Sequence, residues 1–227
     1  MRKKNCNTMK RSDQEEWLAA MNMELGLMKE MKVWELVEPP PGRNLVGNRW
    51  VFEFKSSNDL KSGAKCKARL VAQGFSQIPG VDFHQTYAPV ARQSSIKTLI
   101  ALAAKHNWEL DCFDAKRAFL HGKLKEEIYM KQPQRFKQYS PSGTLLVCRV
   151  LSSLYGLKQA ALDWYELLSS VLVELGFRKS EADLAVFTYQ KTLPDGSLII
   201  CIITWHIDDG LGGSNNRQYL NWVKEKI

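Results

Sequence analysis

Apolar positions along the 227-residue chain switch several times between a helical period and a strand-like one, and the switches mark out its elements. In SDQEEWLAAMNMELGLMKEM, residues Trp17, Met21, Leu25 and Met28 recur on one helical face, and Ser12 followed by Glu15 has the spacing of a capping box. The prolines of VEPPPGRN end that helix by removing backbone donors. The strand-like VGNRWVFEF, the turn-forming SSNDLKSG and the return AKCKARLVAQGF together predict a hairpin. HQTYAPV reads as extended. A second helix follows in RQSSIKTLIALAAKH, with Ile96, Leu99, Ile100 and Ala103 at helical spacing behind a serine cap. WELDCFDA then alternates with period two, so that Trp108, Leu110, Cys112 and Asp114 share one face and a carboxylate ends it. ALDWYELLSSVLVELGF carries a long apolar stripe through Trp164, Leu168 and Leu172 and stops at Gly176, which predicts a helix with a glycine C-cap. Finally, TLPDGSLIICIITWHIDDGLGGS reads as a turn, a buried strand from Leu198 to Ile207 and a tight turn at Asp209-Gly210. The order of helix, hairpin, helix, strand, helix, hairpin, with no internal repeat, predicts an α+β layer architecture.

Composition narrows the function classes. The chain is long enough for one large domain or two joined lobes, and 44% hydrophobic with 25% charged residues is ordinary for a globular protein. A net charge of +8 and a pI near 9.2 favour an anionic partner, because clustered Lys and Arg gain free energy by displacing counterions from phosphates. The five cysteines are scattered, odd in number and without C-x-x-C spacing, which argues against a zinc site and reads as reduced packing residues. The basic start MRKKNCNTMKRSD leads into no apolar h-region, and no apolar run has the length of a membrane span. An intracellular protein that is neither secreted nor inserted in a membrane is the expectation.

Three carboxylates carry the candidate chemistry. Asp208 and Asp209 stand at the tip of the hydrophobic hairpin and Asp114 at the end of another strand. If those strands are neighbours, the three acids converge on hard divalent cations, since Mg²⁺ takes oxygen ligands and favours carboxylates together with substrate phosphates. Asp-Asp-Gly is equally a good turn sequence, and Asp114 equally a solvated strand end; periodicity does not decide between these readings. The tryptophans Trp50, Trp108 and Trp164 lie on apolar stripes that favour core packing over base stacking. His84, His106, His121 and His206 share no spacing and receive no catalytic role.

Longer strings shift the balance. KARLVAQGFSQ, TYAPVAR, FDAKRAFLHGKLKEEIYMKQP, SLYGLKQAALDWYELL, GFRKSEADLAVF and HIDDGLG occur in that order, and together they resemble the reverse transcriptase domain of copia-class LTR retrotransposon Pol polyproteins, from about Glu16 to Gly213. The resemblance implies a right-hand polymerase with fingers over roughly 16–107 and a palm over roughly 108–227, behind a basic segment 1–15 and without a thumb. It implies RNA-directed DNA polymerase activity on a primer with an RNA or DNA template and deoxynucleoside triphosphates, with no membrane involved. Asp114, Asp208 and Asp209 match the family's catalytic, metal-binding aspartates, which would hold two Mg²⁺ ions, or Mn²⁺ in their place. Phe119 matches the bulky residue that excludes the ribose 2′-hydroxyl. Lys67 and Arg69 fall in the fingers strand, where cations hold a triphosphate by charge and, for Arg, by forked hydrogen bonds. Gly156 and Gln159 lie in SLYGLKQ, which in the family lines the nucleotide site near the templating pair; a glycine there permits close backbone approach.

The sequence also departs from the family pattern. His206-Ile207 stands where Tyr-Val is usual, Ala115-Lys116-Arg117 where Val-Lys-Thr is usual, and Ala161-Leu162-Asp163 where Pro-Arg-Ala is usual. With an end at Ile227, before any region resembling a thumb or RNase H, these changes set up a second expectation. On that reading the chain is a truncated, catalytically inactive remnant that keeps only a basic nucleic-acid-binding fold.

Overall fold

The structure is a computed structural model that describes residues 14–55 and 65–227. The expected cap at Ser12, most of the basic segment 1–15 and the expected turn at 56–63 lie outside the described residues. In chain order the elements are α1 (Gln14–Glu30), β1 (Trp34–Val37), β2 (Leu45–Val46), β3 (Asn48–Lys55) and β4 (Lys65–Ala72). They continue with α2 (Gln93–His106), β5 (Glu109–Asp114), α3 (Ala118–His121), β6 (Lys123–Met130), β7 (Val147–Ser152) and α4 (Ala160–Glu174). The last are β8 (Arg178–Lys179), β9 (Val186–Thr192), β10 (Leu198–His206), β11 (Asp209–Ser214) and α5 (Arg217–Lys226). Mixed helices and largely antiparallel sheets make the class α+β, as the periodicity predicts. None of the described helices is long and apolar enough to cross a membrane.

Contacts divide the chain into two units, one of residues Met1–His84 with Lys123–Ala160 and one of Gln85–Gly122 with Ala161–Ile227. Each is assembled from two separate stretches, so the units interleave in sequence. The single division that the sequence reading drew at 107/108 falls inside the second unit.

In the first unit, α1 buries Trp17, Met21 and Met28, as its apolar spacing predicts. Trp17 meets Phe52 and Phe54 of the β3–β4 hairpin edge-on, at centroid distances of 5.1 and 4.8 Å. The strand expected over VGNRWVFEF is broken into β2 and β3 at Gly47, where a Cβ would collide with the Gln73 side chain. β1, β7, β6 and β2 form a second sheet, antiparallel except for the parallel β2–β6 pair. The periodicity reading passed over β6 and β7. Only the last three residues of β6 are buried without interruption, and its charged first half alternates weakly.

The second unit is built on the antiparallel sheet β5-β11-β10-β9-β8. α4 lays Trp164, Leu168 and Leu172 into a core shared with Phe113, Phe187, Ile203 and Trp205, each large side chain worth roughly 1.5–3 kcal/mol of burial. It ends as its sequence predicts. Gly176 takes φ +90°, its N–H donates to Val173 O and the next N–H, of Phe177, donates to Leu172 O, a complete Schellman pair. α5 is held to β5 by Arg217 and Lys224 on the Asp111 carboxylate, at 3.1 and 2.7 Å, and the Lys224 hydrogen bond keeps that carboxyl below its usual range.

Two local expectations are corrected. α2 has Arg92 at its N-cap with no side-chain cap; the serine expected there is replaced in function by Asp183, whose carboxylate accepts from Arg92 N at 2.9 Å and Ser95 Oγ at 2.6 Å. In β5 the core-facing residue is Phe113, 3% exposed, whereas Leu110 on the predicted apolar face is 38% exposed. Phe113 wins because its ring packs toward Trp205, across Gly210.

Candidate active site

The aspartates sit where β10, β11 and β5 run side by side in the second unit. Residues facing each other across antiparallel strands share a face. The register sets His206 opposite Asp209, and Asp209 opposite Asp114, so two exposed carboxylates and an exposed imidazole form a row across three strands. Pairing β5 with β11 is the adjacency on which the candidate chemistry depends. Carboxylates directly opposite one another repel, and a hard cation between them removes that repulsion.

The hairpin turn is Ile207-Asp208, not Asp209-Gly210 as the Asp-Gly pair suggests. Gly210 belongs to β11 opposite Trp205, and a Cβ on it would come within 2.5 Å of the Trp205 ring. This glycine makes room for an indole instead of turning the chain. Ile207 consequently takes the first turn position with φ +59°, a region that β-branched residues rarely enter and that costs on the order of 1–3 kcal/mol. The compensation is visible: the Ile207 carbonyl accepts from both Trp164 Nε1 at 3.0 Å and Trp205 Nε1 at 2.8 Å. On the other side of the turn, Asp208 O accepts from Ala115 N at 3.3 Å.

The three expected ligands do not converge equally. Asp114 and Asp209 face each other, while Asp208 occupies the turn, half-buried, with Oδ1 out of solvent. Among the described residues no three His, Cys, Asp or Glu side chains gather closely enough to hold a metal ion by themselves. The facing pair still suits a hard divalent cation, because Mg²⁺ is commonly held by one or two carboxylates with substrate phosphates completing its shell.

Phe119 lies on α3 in the same unit, half-buried against the core that contains Ala118 and Trp164. The other expected nucleotide-binding residues belong to the first unit. Lys67 and Arg69 are half-buried on β4; Arg69 pairs with Glu53 at 3.2 Å and lies over the Tyr155 ring at 5.7 Å, and Glu53 is also the cross-strand partner of Lys67. Glu53, unmentioned by the sequence reading, offsets part of their charge. Gly156 takes φ +92° and allows close backbone approach as expected, but to β4: a Cβ would strike Ala72 O. Gln159 is 1% exposed, its amide nitrogen donating to Asp82 O at 2.9 Å and Glu126 Oε2 at 3.2 Å while its oxygen accepts from Gln77 at 3.0 Å. Its polar atoms therefore hold the loop at 74–83 inside the first unit.

Sequence reasoning missed the two indoles. Trp164 reads as a core-packing residue and is indeed buried, yet a buried tryptophan N–H needs an acceptor, and that requirement is the signal that points to the pair. The departure at Asp163 also has a physical reading. It is buried in the first turn of α4, where a negative charge meets the positive end of the helix dipole.

Comparison with known proteins adds a second line of observation. The family model described as reverse transcriptase (RNA-dependent DNA polymerase) matches residues 31–227. The retrovirus-related Pol polyprotein from transposon TNT 1-94 of Nicotiana tabacum is 38% identical over 194 residues, covering 86% of this chain and 14% of that polyprotein. The Pol polyproteins from transposons RE1 and RE2 of Arabidopsis thaliana are each 36% identical, over 91% and 93% of this chain. In both cases the match again takes in 14% of the polyprotein, so the chain spans about one seventh of the length of these curated relatives.

Proposed function

Because the chain belongs to the reverse transcriptase (RNA-dependent DNA polymerase) family of retrotransposon Pol polyproteins, we propose that it adds deoxynucleotides to a primer on an RNA or DNA template. The observation that carries this reading is the cross-strand pair of Asp114 and Asp209 beside the Asp208 turn. In this proposal Asp114 and Asp209 hold a divalent cation, Mg²⁺ or Mn²⁺, and Asp208 is the third carboxylate of the set. When bound, two such ions supply the charge that polarises the attacking hydroxyl and steadies the leaving oxygen. The second unit with its aspartates corresponds to a palm, and the β3–β4 hairpin with Lys67 and Arg69 to fingers that grip the incoming triphosphate. Phe119 would set the preference for deoxyribose, and Gly156 and Gln159 would act by holding their loop in place.

The alternative of an inactive remnant is disfavoured by the intact aspartate pair and by a family match that runs through it. Primer extension on an RNA template with Mg²⁺ and deoxynucleotides tests the choice. Incorporation by the wild-type chain that disappears in Asp209→Asn supports the polymerase; none from a folded wild type would leave the remnant reading standing.

A further inference from the structure

We infer that Trp164 and Trp205 are positioning residues for the aspartate pair, acting through the carbonyl of Ile207; the inference rests on the reading of Asp114 and Asp209 as the metal-binding pair. A carbonyl oxygen has two acceptor directions, and here both are taken by indole N–H groups, at 3.0 Å from Trp164 and 2.8 Å from Trp205. That carbonyl is bonded directly to the Asp208 nitrogen. The next carbonyl, of Asp208 itself, receives the N–H of Ala115, the residue that follows Asp114. Both peptide groups flanking Asp208 are thus held from outside the turn, one by the indoles and one by the end of β5.

The clamp matters because the turn is not at rest. Ile207 at φ +59° holds a conformation that glycine would take freely and a β-branched residue resists. Strained residues of this kind persist only where their surroundings over-determine them. Without the donors, the peptide between Ile207 and Asp208 is free to flip, moving Asp208 and the start of β11, and with it the register that sets Asp209 against Asp114. The two rings reach the carbonyl from different elements, α4 and β10, and lie 6.3 Å apart between centroids. They also border an open cavity of about 450 Å³, shared with Tyr87, Pro89 and Ile207. Loss of one donor therefore need not collapse a tightly filled core.

The test removes the donors while keeping the rings. Trp164 and Trp205 are replaced, singly and together, by benzothienylalanine, which has the indole shape with sulfur in place of N–H; Trp164→Phe and Trp205→Phe serve as coarser versions. Two properties are read on the 227-residue chain: in the metal-free state, the Ile207 carbonyl and Asp208 and Asp209 amide resonances, and then Mn²⁺ affinity by electron paramagnetic resonance. Positioning predicts that these resonances move and that Mn²⁺ affinity falls by roughly ten- to a hundred-fold, the scale for partners that orient a metal ligand. It also predicts that the same replacement in an Asp209→Asn background lowers affinity no further. Unmoved resonances, or a lower melting temperature with wild-type Mn²⁺ affinity, would reduce the indoles to core packing and overturn the inference. A wild type that binds no Mn²⁺ would remove the metal reading alone; the metal-free resonances would then still decide for or against the clamp.

Discussion

At the scale of single residues, the site balances repulsion against fixed geometry. Asp114 and Asp209 face one another with no spacer, and like charges in that relation destabilise by up to about 1 kcal/mol. Asp114→Asn is therefore expected to raise the metal-free melting temperature by about 1–3 °C and, on the proposed metal-binding role of the pair, to abolish the further rise expected of the wild type in Mg²⁺; thermal scans with and without Mg²⁺ check both. The thiols offer an independent probe. Burial pushes Cys148 and Cys201 up to about 12, while Cys112 is exposed. Because the thiolate is the reactive form, iodoacetamide on the folded protein should label Cys112 well before Cys148 or Cys201, as peptide mapping would reveal. The expectation that the cysteines are packing residues thus holds for those two and fails for Cys112, which lies on the solvent side of β5.

Individual elements show which kinds of signal a sequence carries. α4 and its end at Gly176 were legible because an apolar stripe and a glycine C-cap are local features. β10 was legible as a long apolar run ending at the aspartates. The turn was not, since Asp-Gly is a good turn pair and only the Trp205 ring, packed over Gly210, displaces the turn to Ile207-Asp208. Likewise nothing near Arg92 announces Asp183, which reaches the α2 terminus from far along the chain. Nor does periodicity reveal that β5 neighbours β11. Burial would raise the Asp183 carboxyl, but hydrogen bonds from Ser95, Arg92 N and Ala185 N outweigh it and hold the group below its ordinary 3.8. A depressed folded value means that the contribution is complete above the unfolded value and is lost as pH falls below about 4. Asp183→Ala should then cost about 2–3 kcal/mol at pH 7, with the difference from wild type shrinking in denaturant titrations at pH 3. Gly210→Ala is expected to cost about 1–3 kcal/mol by overpacking against Trp205, visible as a lower urea midpoint.

For the whole molecule, the relevant quantities are charge and connectivity. On the proposed function, a surplus of eight positive charges would give affinity for a primer-template a strong electrostatic component, and the logarithm of the binding constant should then fall linearly with the logarithm of salt concentration. Fluorescence anisotropy between 50 and 200 mM salt measures the slope, and a flat response would show that the basic surface takes no part. Sequence strings made the family recognisable over most of the chain. The division into interleaved units could not be read the same way, because it depends on which distant stretches meet: residues 85–122 form one unit with residues 161–227.

That pairing has a consequence for the time at which the site comes into being. β5 is complete once Asp114 has been made, yet the strand it pairs with begins about 95 residues later, at Asp209. At ordinary translation speeds of roughly 5–20 residues per second, the interval is about 5–20 s. Throughout it β5 is a nascent strand whose backbone and Phe113 face await a partner not yet synthesised. Until the hairpin emerges, the growing chain must keep that edge from strands of its neighbours, and crowded polysomes are where such encounters are most frequent.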